Sequence, residues 1–413
     1  MILYKYCANG NDFLIFHTFV RRDYAPLARA LCHRFSGIGA DGLVVVLPCE
    51  ADSADSRDLR GADSSAFVDS SARVAYEWDF YNADGSSANM CGNASRCVAH
   101  YAYSVGLAGA KHSFLSKAGI IRVSVEADGK NAESKNAESK SAQPQSPERT
   151  AKTAIVSSNL GVYKDFREIG ALADNAGIKL DSALLKEVES TQGLARDLCA
   201  ASWFYLNTGV PHLVCFVRKR DIIEALRTKQ EPIYTPLFAL LRALRQAYNA
   251  NVNIACLDSS LDSGARESDM LESSANAAPN NTSNQALSKI YLATYERGVE
   301  DITLACGTGM AACFVVGKMH NISEPALLIP PSLEPLEIWS ESAAGAGNMD
   351  SASSLDFSAP ESRNAKTKNA ESKSAESARD TKKAIKAIAA KEGKEAILIK
   401  GRVHCVALCD AYV

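Results

Sequence analysis

Short apolar runs recur along the chain at Leu43–Leu47, Ile120–Val125, His212–Val217, Ile290–Tyr295 and Ala396–Lys400. They are rich in β-branched residues and too brief for buried helices, so each predicts a strand. Apolar positions spaced three and four residues apart instead predict helices over about 25–35, 91–105, 234–248 and 306–320. Strands come in runs with helices between them rather than in strict alternation, which predicts an α+β fold.

Four stretches break this pattern, at about 51–74, 127–151, 258–287 and 341–394. They are rich in Ser, Ala, Asp, Asn, Lys and Glu and poor in aromatics, and the run Lys-Asn-Ala-Glu-Ser-Lys occurs at 130–135 and again at 368–373. Such segments cannot bury enough apolar surface to offset the entropy of ordering them. They are expected to be solvated surface inserts, which a fold tolerates at modest cost, with a short helix over Lys382–Lys394. What remains has the size of two ordinary domains, expected over 1–150 and 152–395.

Composition narrows the function. The chain has 413 residues, 46% of them hydrophobic, and a formal net charge of −3, so no basic surface points to nucleic acid. The opening Met1–Cys7 lacks the basic and apolar regions of a secretion signal, and no apolar run reaches the roughly 18 residues of a membrane span. A cytoplasmic protein with a small-molecule partner is expected. Twelve cysteines are scattered from Cys7 to Cys409 without a CxxC pair. That spacing predicts reduced thiols rather than a disulfide framework or a metal site.

The two halves share an internal repeat. Phe80–Asn93 and Thr294–Thr308 each read as strand, polar turn, Cys-Gly and helix. Beyond Cys91, Val98, Tyr101, Ala102 and Val105 keep a helical spacing; beyond Cys306, Met310, Cys313, Phe314 and Gly317 do the same. Both cysteines are therefore predicted at helix starts, where unpaired N–H groups and the positive dipole end lower a thiol's pKa. The same N–H groups can hold a carboxylate, here through Gly92, Asn93, Gly307 and Thr308. Two such starts facing one pocket reach both faces of a single α-carbon: one thiolate removes its proton while the opposite thiol donates another. The pair must begin in opposite protonation states. Around them, Arg297 suits a carboxylate, Glu296 an ammonium group, and Asn11, Asn82 and Asn253 mixed hydrogen bonds.

At these residues the chain resembles the diaminopimelate epimerase family. The matching blocks are Asn9–Phe13, Gly37–Gly42, Asn82–Ser86, Cys91–Asn93, Gly209–His212, Val252–Ile254, Glu296–Gly298 and Ala305–Gly309, with departures from the usual family pattern at Ala8, Gly42, Ala94-Ser95 and Val210. The resemblance implies two pseudo-symmetric domains, each a curved β-sheet or open barrel around a central helix. It also implies an active site in the cleft between them and a final strand, 396–413, returning to the first domain. It implies conversion of LL-2,6-diaminoheptanedioate to the meso form, for lysine and peptidoglycan synthesis, without metal or pyridoxal phosphate, in a possible homodimer. Cys306 would accept the proton from the LL substrate and Cys91 would donate to the product, with His212 and Glu296 adjusting the thiols' ionisation. Three other readings are a related proline or hydroxyproline racemase, a thiol redox sensor and a non-catalytic binding protein built on the fold. Glu296 and Arg297 weigh against the first, because a monocarboxylate needs no second charged anchor.

Overall fold

The structure, a computed structural model, describes residues 1–49, 74–127, 152–172, 186, 198, 200–258, 287–343 and 370–412, the side chains of 127 and 370–379 excepted. Most of the first three expected inserts, at 50–73, 128–151 and 259–286, and about half of the fourth, at 344–369, lie outside the described residues.

One 16-stranded sheet runs through both halves. The first half holds β1 (Ile2–Ala8), β2 (Asn11–His17), β3 (Gly42–Leu47), β4 (Val74–Asn82), β5 (Lys111–Ser116), β6 (Gly119–Ala127) and β7 (Thr153–Val162), in that order. The last strand, β16 (Glu395–Asp410), pairs with both β7 and β1, which closes these eight strands into a barrel. Closure leaves this half with no free sheet edge along its paired length. The second half is an open curved sheet. From β16 it continues through β15 (Leu336–Ser342), β14 (Ala326–Ile329), β12 (Lys289–Glu296), β11 (Asn251–Leu257), β10 (Pro211–Phe216), β9 (Ser202–Asn207) and β8 (Lys164–Ala171), with the short β13 (Asp301–Ile302) against β12.

The duplication is visible in the parallel pairs. In the first half β2 lies parallel to β3 and β4 to β5; in the second β10 lies parallel to β11 and β12 to β14. A parallel pair needs a crossover connection, commonly helical. Those crossovers hold α1 (Ala25–Cys32) and α2 (Gly92–Ser104) in the first half, and α3 (Asp221–Thr228), α4 (Tyr234–Tyr248) and α5 (Gly307–Gly317) in the second. α2 and α5 thus occupy equivalent places, each bridging the second parallel pair of its half.

Both are central helices. Every residue of α5 is buried, as its almost wholly apolar composition requires. α2 is buried from Gly92 to Ala102, packing Ala94, Cys97, Val98, Ala99, Tyr101 and Ala102 against the barrel interior. α1 covers the outside of the first barrel, while α3 and α4 cover the other face of the second sheet.

Two expectations change. Strand pairing sets β7 between β6 and β16, so the chain passes from one half to the other at Tyr163 rather than near 151. Within the last expected insert, the helix expected over Lys382–Lys394 starts earlier and is longer: residues 370–391 form α6. Ile388 is buried and Ile385 partly so in the core around α5, and the Ile388 carbonyl accepts a 2.8 Å hydrogen bond from the Tyr163 hydroxyl. Two isoleucines three residues apart give this otherwise polar helix the apolar stripe that docks it.

Candidate active site

Cys91 and Cys306 are the N-cap residues of α2 and α5, both in extended conformation (φ −146°, ψ 120° and φ −121°, ψ 108°). Each cysteine is followed by a glycine, and the two glycines meet where the halves join. A Cβ built on Gly307 would lie 3.3 Å from the Gly92 Cα, and one on Gly92 would lie 3.2 Å from Leu160 Cδ2 and 3.1 Å from Ile399 Cδ1. Two positive helix ends therefore share one place, an arrangement that favours an anionic ligand between them.

Cys306 is buried and surrounded by donors. Its sulfur accepts from the Gly309 amide at 3.4 Å, lies 3.5 Å from Thr308 Oγ1 and stands 4.0 Å from Asn251 Nδ2. Behind Thr308 is His212, wholly buried, with Nε2 at 3.0 Å from the threonine hydroxyl and Nδ1 at 3.0 Å from Asn253 Nδ2.

Cys91 is half-buried, and the polar group beneath it is a fully buried guanidinium. Arg96 donates through Nε to the Gly92 carbonyl and through one terminal nitrogen to Asn9 Oδ1 and Asn93 Oδ1, both at 2.6 Å. Asn93 in turn donates to Asn11 Oδ1 and to the Ala305 carbonyl of the other half, and Asn11 donates to Asp41 at 3.1 Å. Asn9 donates to the Glu334 carbonyl at 2.7 Å. This network fastens the two halves beside the cysteines.

Electrostatics depart from the sequence expectation. Burial pushes the Cys91 thiol up to about 11 and the Cys306 thiol well above its ordinary value, and the Glu296 carboxylate raises both further. The amides of Ala94 and Asn93 at Cys91, and Thr308 and Gly309 at Cys306, act in the lowering direction that a helix start predicts. Desolvation outweighs them. The charge of Cys91 also acts to raise Cys306, which links the ionisation of Cys306 to that of the opposite thiol. Glu296 itself is pushed up to about 7 by burial and by Asp41. His212 is held down to about 3, first by burial and then by the Arg297 guanidinium, and is therefore a neutral imidazole at neutral pH.

The other expected site residues fall into different roles. Arg297 is partly buried; its backbone N–H donates to Asn251 Oδ1 at 2.8 Å and its guanidinium to the Asn249 carbonyl at 3.0 Å. Asn82 is exposed at the end of β4, donating to Ser86 Oγ at 2.9 Å. Asn93 uses its side chain in the network, and its backbone amide faces the Cys91 thiol. Asn253 is a correction. It is completely buried, its amide nitrogen is taken up by the Leu213 carbonyl and His212, and its oxygen accepts from Thr294, leaving nothing for substrate.

The residue overlooked in the same motif is Asn251. It is two positions earlier on β11, pointing with Asn253 to one side of the strand, and it touches both Cys306 and the backbone of Arg297. The doublet Asn-Val-Asn shows two asparagines on one face, but only tertiary packing separates the one at the sulfur from the one behind the histidine.

At Gly42, a departure from the family pattern, a Cβ would lie 2.7 Å from Phe80 Cε2 and 2.8 Å from the Tyr81 carbonyl oxygen. Cross-strand packing excludes a side chain there.

A family model described as diaminopimelate epimerase matches residues 3–140. A diaminopimelate epimerase of Helicobacter pylori is 37% identical over 82% of this chain and 89% of that protein. One from a Nitratiruptor species is 34% identical over 82% of this chain and 90% of that protein. Among solved structures, a Bacillus anthracis phenazine biosynthesis protein of the PhzF family superposes with a TM-score of 0.50 at 12% identity, covering 100% of this chain and 99% of that one, a likeness of fold alone. With its two Cys-Gly helix starts in equivalent places and this degree of identity over most of its length, the chain belongs to the diaminopimelate epimerase family.

Proposed function

We propose that the protein inverts one α-carbon of LL-2,6-diaminoheptanedioate to give the meso isomer, using Cys91 and Cys306 as opposed acid and base. The observation that carries this reading is the meeting of two cysteine-capped helix starts at Gly92 and Gly307. In the LL-to-meso direction the Cys306 thiolate removes the α-proton and the Cys91 thiol returns one from the opposite face, with roles exchanged in reverse. Amides at the two helix starts bind the reacting carboxylate. A substrate ammonium group near Glu296 would offset the negative charge that adds to burial in raising both thiols, so binding itself favours formation of the thiolate.

Arg297 and Asn251 serve as further polar anchors, since desolvated charges on the substrate need partners. The product would feed lysine and peptidoglycan synthesis in the cytoplasm, and the active species would be a homodimer. Among the described residues no helix is long and apolar enough to cross a membrane.

The test is incubation of reduced protein with the LL substrate in D2O, following the meso isomer and α-deuterium together. Both are expected, and the meso isomer should vanish in Cys91→Ala and in Cys306→Ala. Full turnover in either variant would refute two-base chemistry; no turnover by the reduced native chain would refute this substrate.

A further inference from the structure

We propose that Asn253 and Thr294 hold His212 as the Nε2–H tautomer, and that Thr308 is thereby oriented to donate its hydroxyl proton in a hydrogen bond to Cys306 when that sulfur is a thiolate. The inference rests on Cys306 being one of the proton-transfer groups and adds a directed chain of hydrogen bonds behind it.

The direction follows from what each group can do. The Leu213 carbonyl, a pure acceptor, lies 2.8 Å from Asn253 Nδ2, and this fixes which end of the amide faces it. The oxygen end then receives the Thr294 hydroxyl at 2.8 Å. The second hydrogen of the same NH2 group points at His212 Nδ1, 3.0 Å away, so Nδ1 must accept. A neutral imidazole that accepts at Nδ1 carries its proton on Nε2. Nε2 lies 3.0 Å from Thr308 Oγ1, which therefore accepts there and has its own hydrogen to give to Cys306 Sγ at 3.5 Å.

Packing keeps the chain of bonds in place. His212, Asn253, Thr294 and Thr308 are all buried, and they come from β10, β11, β12 and α5. A Cβ on Gly309 would stand 2.5 Å from Asn253 Oδ1 and 3.0 Å from Thr294 Oγ1, so the first turn of α5 lies directly on the asparagine–threonine pair. His212 thus acts as a positioning residue. It does not touch the sulfur as a cation; it turns a hydroxyl that touches the sulfur. The charged or titratable groups that bear on Cys306 and His212 are Cys91, Glu296 and Arg297.

Two measurements test this without requiring turnover, so a failed epimerase assay leaves them readable. The first is a 1H–15N correlation spectrum of the native chain with 15N-labelled histidine, His212 being assigned by its loss in His212→Gln. A neutral ring protonated at Nε2 is expected; a ring protonated at Nδ1, or at both nitrogens, overturns the proposal. The second is the pH dependence of Cys306 alkylation in a Cys91→Ser background. Thr308→Val is expected to raise the midpoint by about one pH unit, roughly tenfold less alkylation below it, and Thr308→Ser to restore it. An unchanged midpoint in Thr308→Val, or no recovery in Thr308→Ser, overturns it as well.

Discussion

Gly92 and Gly307 face each other at the junction of the two halves, so closely that a Cβ on Gly92 would come within 3.5 Å of the Gly307 Cα and one on Gly307 within 3.3 Å of the Gly92 Cα. The tighter of the two contacts is at Gly307, where a Cβ would press on the backbone of the opposite helix start. Each of the cysteines that precede the two glycines is the N-cap of its helix, so this contact bears on how the two thiols are placed relative to one another.

Gly307→Ala should force the helix starts apart. Its Cβ meets backbone rather than a yielding side chain, so a loss of about 1–3 kcal/mol in stability is expected, read by urea denaturation. Misalignment of the thiols should lower kcat by at least about tenfold with a smaller change in KM. Native kcat in a folded variant would show that thiol placement does not depend on this contact.

Glu296→Gln removes the carboxylate that raises both thiols. The rising limb of the pH–rate profile, which reports formation of the attacking thiolate, should move to lower pH by about one unit. Stability supplies a separate check. Glu296 titrates near 7 in the folded protein against an ordinary value of 4.5, so the folded state holds the proton more tightly than the unfolded one. Its contribution is therefore favourable below the ordinary value and is lost as pH rises toward 7. The glutamine variant should gain thermal stability over the native chain at pH above about 7 and little below about 4.5. Equal gains at both pH values would contradict the burial argument.

Asn251→Ala deletes a group near the Cys306 sulfur and the acceptor of the Arg297 backbone N–H. A fall in kcat/KM of about 10- to 100-fold is expected, from lost hydrogen bonding at a charged centre. Steady-state kinetics beside Asn253→Ala separate the two asparagines. The Asn251 change should act mainly on activity, and the Asn253 change should also lower the melting temperature.

Arg96→Met leaves the acceptors on Gly92, Asn9 and Asn93 unpaired in the interior. A destabilisation of about 3 kcal/mol is expected from denaturant titration. Loss of the cation beneath Cys91 should also raise that thiol further, since Arg96 acts on it in the lowering direction. Slower alkylation of Cys91 at a fixed pH would register that change.

Local pattern was enough to read the α+β class, the paired Cys-Gly helix starts and the two cysteines, because periodicity and a direct repeat are properties of neighbouring residues. The helix over Tyr234–Tyr248 was legible to the residue for the same reason: its buried Leu237, Leu240, Leu241 and Leu244 lie on one face. Other features depended on residues distant in sequence. The barrel closes through β1 and β16, at opposite ends of the chain, and β7 joins the first half through its pairing with β6 and β16. The thiols' ionisation depends on burial, which a helix start by itself does not disclose, so the lowering by amides was legible and the larger rise by desolvation was not. Asn251 and Asn253 look alike in the sequence. Three-dimensional packing sets one beside a sulfur and the other behind a histidine, because hydrogen-bond partners from β10, β12 and α5 converge on them only once the sheet has curved around its central helix.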